Sequence, residues 1–198
     1  LSNSKLGKEL VNELAKVDPR DYRVQQQSDS QGVKNVASFL IDVAERLPHV
    51  MTSCLSVVVP HLGGEAYSLR SGVVTIISRI LVQHSSSGSS AASHAPTGSE
   101  TFLKSKQHFL KILVERIFDK SSFTRSKTLQ SWAYLCQHKA IPIGYWNYIA
   151  EIAIGRLEDK TALVRKSVLQ LLSTMLQYNP FAPCLPVAKF ELSLQEYQ

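Results

Sequence analysis

Ile117 to His138 reads IFDKSSFTRSKTLQSWAYLCQH: a short polar turn, an arginine, then an apolar helix. The same order recurs from Leu62 to Gln83 (LGGEAYSLRSGVVTIISRILVQ) and from Leu157 to Tyr178 (LEDKTALVRKSVLQLLSTMLQY). When the copies are aligned on Arg70, Arg125 and Arg165, the residues four positions on are Val74, Leu129 and Leu169, and those seven on are Ile77, Trp132 and Leu172. Ten on stand Ile80, Leu135 and Met175, and eleven on stand Leu81, Cys136 and Leu176. These offsets return to one face of an α-helix, so each copy predicts an amphipathic helix that begins just after a turn.

The interval from Arg70 to Arg125 exceeds that from Arg125 to Arg165 by the length of a Ser/Gly/Ala run, 85–99, that lies inside it. The run reads as a disordered Ser-rich insertion, and with it removed the two intervals are equal. A constant period of about 40 residues with two helices per unit is the signature of a HEAT or armadillo solenoid. Such units stack because none can bury its apolar face alone. The expected fold is therefore all-α, a right-handed superhelix of antiparallel helix pairs forming a single HEAT-repeat array.

The boundaries follow from helix start and stop signals. Flanking helices are expected over 4–16, stopped by Val17-Asp18-Pro19, and over 32–47, stopped by Pro48. Three repeats follow at about 48–83, 102–138 and 142–178, with Pro48 and Pro142 at the starts of first helices. Asn179-Pro180 ends the last pair, and 185–198 reads as the start of a further helix. The first residue is not Met, so the chain reads as a piece of a longer protein.

In the turns, Asp119 precedes Arg125 by six residues and Asp159 precedes Arg165 by six, whereas the first copy has Gly64 in that slot, followed by Glu65. In HEAT repeats an Asp in the turn and an Arg early in the second helix commonly pair along the stack, so the likeness to that architecture implies a structural ladder of charge-assisted hydrogen bonds. A catalytic acid with an arginine is the competing reading of the same four residues.

Other chemistry finds little support. No apolar run reaches the roughly 20 residues that span a bilayer. Cys54, Cys136 and Cys184 are odd in number and outside any CxxC pattern, which predicts reduced, buried thiols rather than disulfides or a zinc site. The six histidines are dispersed, without metal-ligand spacing or a neighbouring nucleophile. Gly63-Gly64 falls in a turn of the repeat and no GxxxxGK[ST] loop is present. The chain is accordingly expected to be no enzyme, with no cofactor, no small-molecule substrate and no membrane contact. Trp132 aligns with Ile77 and Leu172 and so belongs to the core, while Tyr145, Trp146 and Tyr148 cannot all face inward on one helix.

The net charge is +6, and 101–127 supplies seven Lys/Arg against Glu115 and Asp119. Lys104 and Lys111 share a helical face, and Lys120 and Lys160 fill the same slot of successive turns. With Lys127, these five lysines predict a ridge able to follow a duplex phosphate backbone without reading bases. A merely solvated face and a surface for an acidic protein stay open beside it.

The words within this frame resemble a particular family. LGKELVNEL (Leu6 to Leu14), FLIDVAERLPHVMTSCLSVVVPHLGGEAYSLRSGVV (Phe39 to Val74) and RLEDKTALVRKSVLQLLSTMLQYNPF (Arg156 to Phe181) are similar in content and order to condensin complex subunit 1. The resemblance covers nearly the whole chain apart from the Ser-rich insertion, and it implies a piece from the amino-terminal part of a much longer subunit. It further implies a non-catalytic regulatory scaffold that binds the kleisin subunit, the SMC ATPase subunits and double-stranded DNA in mitotic chromosome condensation. The implied location is nucleus and chromosome, with cytoplasm outside mitosis. A HEAT scaffold of a nuclear-transport or phosphatase assembly, without DNA binding, is the alternative.

Overall fold

The computed structural model describes residues 2–15, 29–87 and 96–181. Among them run eight α-helices: α1 (Ser2–Ala15), α2 (Gln31–Arg46), α3 (Pro48–Val58), α4 (Tyr67–Ser87), α5 (Pro96–Arg116), α6 (Ser122–Gln137), α7 (Ile143–Gly155) and α8 (Ala162–Gln177). They pack in two layers. The even layer is continuous, with α2 on α4, α4 on α6 and α6 on α8; in the odd layer α1 packs on α3, while α5 and α7 stand apart around a groove. This is an all-α HEAT-type solenoid.

The helices at 4–16 and 32–47 are not a flank. Because α1 lies against α3 and α2 against α4, they form the first of four stacked pairs. Their copy escapes the alignment because α2 has Asn35 six residues after Asp29, where the other copies carry the arginine. Ser30 caps α2, its Oγ accepting from Val33 N–H at 3.4 Å.

Two further boundaries differ from expectation. The helix expected to run on from Pro48 ends at Val58 and tightens into a 3-10 turn, Val59–Gly63. Pro60 has no N–H to continue the α-helical ladder, and that loss converts the last turn. The insertion expected over 85–99 is narrower, because α4 runs through Ser87 and α5 opens at Pro96. Ser85 Oγ donates back to Leu81 O at 2.8 Å, and proline suits a first helical turn. Residues 88–95 lie outside the described residues, as do Cys184 and the further helix expected over 185–198.

α4 occupies the centre and is apolar around most of its circumference. Val73, Val74, Ile76, Ile77, Ile80, Leu81 and Val82 are all buried, as expected of a helix packed against α2, α3, α5 and α6 at once. Gly72 permits the approach of α2, since a Cβ there would sit 3.3 Å from Ala37 Cβ. Trp132, from the aligned stripe, is fully buried in the same core, with its Nε1 donor unmatched. Trp146 is buried, Tyr145 packs partly against the core and Tyr148 is exposed. Cys54 and Cys136 are free thiols in the interior, and burial pushes the Cys136 thiol up to about 11.

α6 ends in a Schellman arrangement. Ala140 N–H donates to Leu135 O at 2.9 Å and Lys139 N–H to Cys136 O at 3.0 Å, which places Lys139 at φ 53°. A lysine in this left-handed region carries a strain that glycine avoids.

Two outcomes are expected from this packing. Trp132→Ala should lower the unfolding free energy by about 3–5 kcal/mol through cavity formation, read as an early transition in urea. Lys139→Gly should leave the fold intact and raise stability by about 0.5 kcal/mol, because relief of strain exceeds the entropy glycine adds to the unfolded chain; a lower melting temperature would contradict the cap.

Candidate functional site

Each even-layer helix from α4 onward begins with an arginine one turn inside its start, pointing back over the turn that precedes it. Arg70 Nη1 donates to the carbonyls of Gly64 and Glu65, both at 2.7 Å. Arg125 Nη1 donates to those of Asp119 (2.9 Å) and Lys120 (3.2 Å), and Arg165 Nη1 to those of Asp159 (2.8 Å) and Lys160 (3.2 Å). These carbonyls close the turn between the two helices of a pair, so one guanidinium nitrogen locks each hairpin.

The rest of the fork reaches into the next repeat. Arg70 Nε and Nη2 donate to Asp119 Oδ2 and Oδ1, both at 3.0 Å, and Arg125 Nε and Nη2 donate to Asp159 Oδ2 (2.8 Å) and Oδ1 (2.9 Å). Both bridges are bidentate. The aspartates are nearly sealed from solvent, with 2% of each side chain exposed. Each also accepts a backbone N–H two residues on, Asp119 from Ser121 at 2.8 Å and Asp159 from Thr161 at 3.0 Å. The Arg125 guanidinium, aided by the Thr161 N–H and Arg156, holds the Asp159 carboxyl down at about 2 against the opposing effect of burial.

The aspartates also have a third kind of partner. Arg116 and Arg156 each stand three residues before the ladder aspartate and approach it at 3.5 Å, and the Arg156 guanidinium lies 4.4 Å over the Phe118 ring of the preceding turn. The signal is present in the sequence as R-x-x-D at Arg116 to Asp119 and again, one repeat later, at Arg156 to Asp159. Arg70, in turn, extends the ladder into the second pair although its own turn lacks the aspartate.

The five lysines do not form one ridge. Lys111 lies on α5 in the odd layer, lining the groove of about 530 Å³ between α5 and α7 with His108, Tyr145 and Tyr148. Lys104 is on the same helix, but its side chain lies outside the described residues. Lys127 belongs to the even layer, where it lines grooves bounded by α2, α4 and α6. Only Lys120 and Lys160 share the turn edge, and there Lys120 is paired to Glu65. The reason is periodic: Glu65, Lys120 and Lys160 occupy one slot in three successive turns, so the row begins with an acid that its neighbour neutralises. The proximity of Lys120 also lowers the Glu65 carboxyl's affinity for its proton.

Comparison with known proteins shows which family the chain belongs to. The chain is 40% identical over 197 residues to the protein named Condensin-1 complex subunit CAP-D2 of Arabidopsis thaliana, covering 100% of this chain and 13% of that one. It is 32% identical over 188 residues to Condensin complex subunit 1 of Homo sapiens and 33% over 174 to that of Mus musculus, covering 95% and 88% of this chain. The chain belongs to the condensin complex subunit 1 family. It spans about 13% of the length of these curated relatives. No protein-family model matches it. The segments that resemble condensin subunit 1 contain part of the ladder, since Arg70 lies within the run from Phe39 to Val74 and Asp159 within the run from Arg156 to Phe181.

α8 presents the open end of the described stack. Leu169 and Leu176 are 60% and 78% exposed, whereas their counterparts Leu129 and Cys136 in α6 are fully buried by α8. Arg165 likewise closes its own turn but has no described carboxylate across from it.

The two arginines therefore predict unequal costs. Arg125→Met strands the Asp159 carboxylate and should cost about 3 kcal/mol; Arg165→Met loses only turn hydrogen bonds and should cost about 1 kcal/mol. Asp159 also sets an acid dependence. Its carboxyl titrates near 2 when folded and near the ordinary 3.8 when unfolded, so its contribution is complete above about pH 4 and is lost as pH falls toward 2. Arg125→Met should flatten that acid limb in urea titrations across pH 5 to 2, roughly, and an unchanged limb would detach Asp159 from Arg125.

Proposed function

We propose that this chain is a section of a non-catalytic HEAT scaffold that serves in condensin, joining the kleisin and SMC subunits and touching duplex DNA during chromosome condensation. The carrying observation is the match at 32–40% identity to condensin subunits over nearly the whole chain. The ladder supports it physically. Arg70, Arg125, Asp119 and Asp159, the charged groups best placed for acid-base work, are consumed in holding repeats together. A nuclear and chromosomal location follows from the same reading, with cytoplasm outside mitosis.

The DNA contact we assign is small and lies on the turn edge at Lys120 and Lys160. Phosphate contacts of this kind read no sequence and weaken with salt. The pairing of Lys120 with Glu65 favours a second reading, a protein-binding scaffold without DNA affinity as in nuclear-transport or phosphatase assemblies.

Affinity purification of the full-length protein separates the two. Recovery of SMC and kleisin subunits is expected; recovery of transport receptors or phosphatase subunits in their place would overturn the condensin reading. For DNA, the double variant Lys120→Glu with Lys160→Glu should weaken binding to duplexes of unrelated sequence by a common factor, with a reduced salt slope. Binding that keeps its strength and its slope removes the edge from the DNA surface.

A further inference from the structure

The even layer carries a trough that the ladder does not use. Along one side of α4, α2 and α6 rise as walls, leaving a groove of about 260 Å³ that continues past Lys127 into a smaller one of about 90 Å³. Lys34 stands on the α2 wall with Ile41, Lys127 on the α6 wall, and Ser71 and Gly72 of α4 form part of the floor. Gly72 lets α2 close on α4 beside this floor, since a Cβ there would meet Ala37 Cβ at 3.3 Å.

Two cations along the trough stand unpaired. Lys34 and Lys127 come from helices that are not neighbours, yet they line the same groove, and neither has an ion-pair partner among the described residues. Two acids border it and both are already engaged: Asp29 accepts from Ser68 N–H at 2.6 Å, and Glu45, at the far end, pairs with Arg79 at 3.1 Å. At the far end Arg79 stacks 4.0 Å over Tyr134, and its Nε is buried without an acceptor.

Shape chooses between acidic ligands. Neighbouring helices pack about 8–10 Å apart, so the walls are separated by little more than the width of α4 itself. A duplex, with phosphates on a broad convex surface, cannot bring them to this floor, whereas an extended chain fits between the walls. We propose that the trough along α4, walled by Lys34 and Lys127, binds an extended acidic peptide segment of about five residues, the length that spans the roughly 16 Å from Ser68 to Arg79. Its carboxylates meet the two lysines and its apolar side chains meet Ile41 and Tyr67. The site is independent of which large assembly the chain serves.

Fluorescence anisotropy with a labelled Glu-Leu-Glu-Asp-Leu-Glu peptide tests this, with the lysine-for-acid counterpart and a labelled duplex as companions. The acidic peptide should bind and the basic one should not. Lys34→Glu and Lys127→Glu should each weaken binding about tenfold or more, the milder Lys34→Gln and Lys127→Gln should weaken it less, and Lys160→Glu on the turn edge should leave it unchanged. Circular dichroism on the glutamine variants separates lost binding from lost fold. Acidic-peptide affinity equal in folded lysine variants and parent would overturn the proposal, as would a duplex that displaces the peptide through the same two lysines. Peptide binding together with a full-length protein that recovers no SMC or kleisin subunit would refute the condensin reading and leave the trough standing.

Discussion

The bidentate bridge from an arginine in one repeat to an aspartate in the next is the constraint on which the stack depends. Removing both charges from water is expensive, and a buried pair of this kind adds little net stability over a well-packed apolar pair. Its contribution is register. The faces of α4, α6 and α8 are rows of Val, Ile and Leu, which attract one another at many offsets. A planar fork that must meet two carboxylate oxygens while its remaining nitrogen holds two turn carbonyls admits one offset only. Arg70 with Asp119 and Arg125 with Asp159 repeat the same four contacts, so each repeat is positioned by the one before.

That use of charge decides what the surface can do. Much of the strongest positive charge in the fold is spent within it: Arg70 and Arg125 in the bridges, Arg116 and Arg156 beside the same aspartates. The lysines are scattered over the α5–α7 groove, the turn edge and the α4 trough. A clustering of lysines in one stretch of chain thus becomes several separate surfaces, because a two-layer array sends consecutive segments to opposite faces.

The layers differ in tightness. The even helices form an unbroken row tied by the bridges and by hydroxyl contacts such as Ser126 with Ser167 at 2.8 Å, whereas α5 and α7 part around a groove. Bending that widens the odd layer separates few packed side chains, while bending that opens the even layer must break bidentate charge pairs.

The repeat and the helix periods were legible in the sequence because each rests on local spacing, a stripe at four, seven and eleven residues and a turn six residues before an arginine, whereas which arginine meets which aspartate was not. The burial of Trp132 followed from its column in that alignment. Other features were not legible. Asn35 replaces the diagnostic arginine, so only packing reveals α1 and α2 as a repeat; Pro60 ends α3 where periodicity alone would continue it. Lys34 and Lys127 are far apart in the chain yet line one groove, and Lys120 meets Glu65 across two turns. Spacing along a chain determines which face of a helix a residue occupies. Which faces meet is decided by how the helices stack, and that depends on small residues such as Gly72 and on bridges that close only when two repeats are side by side.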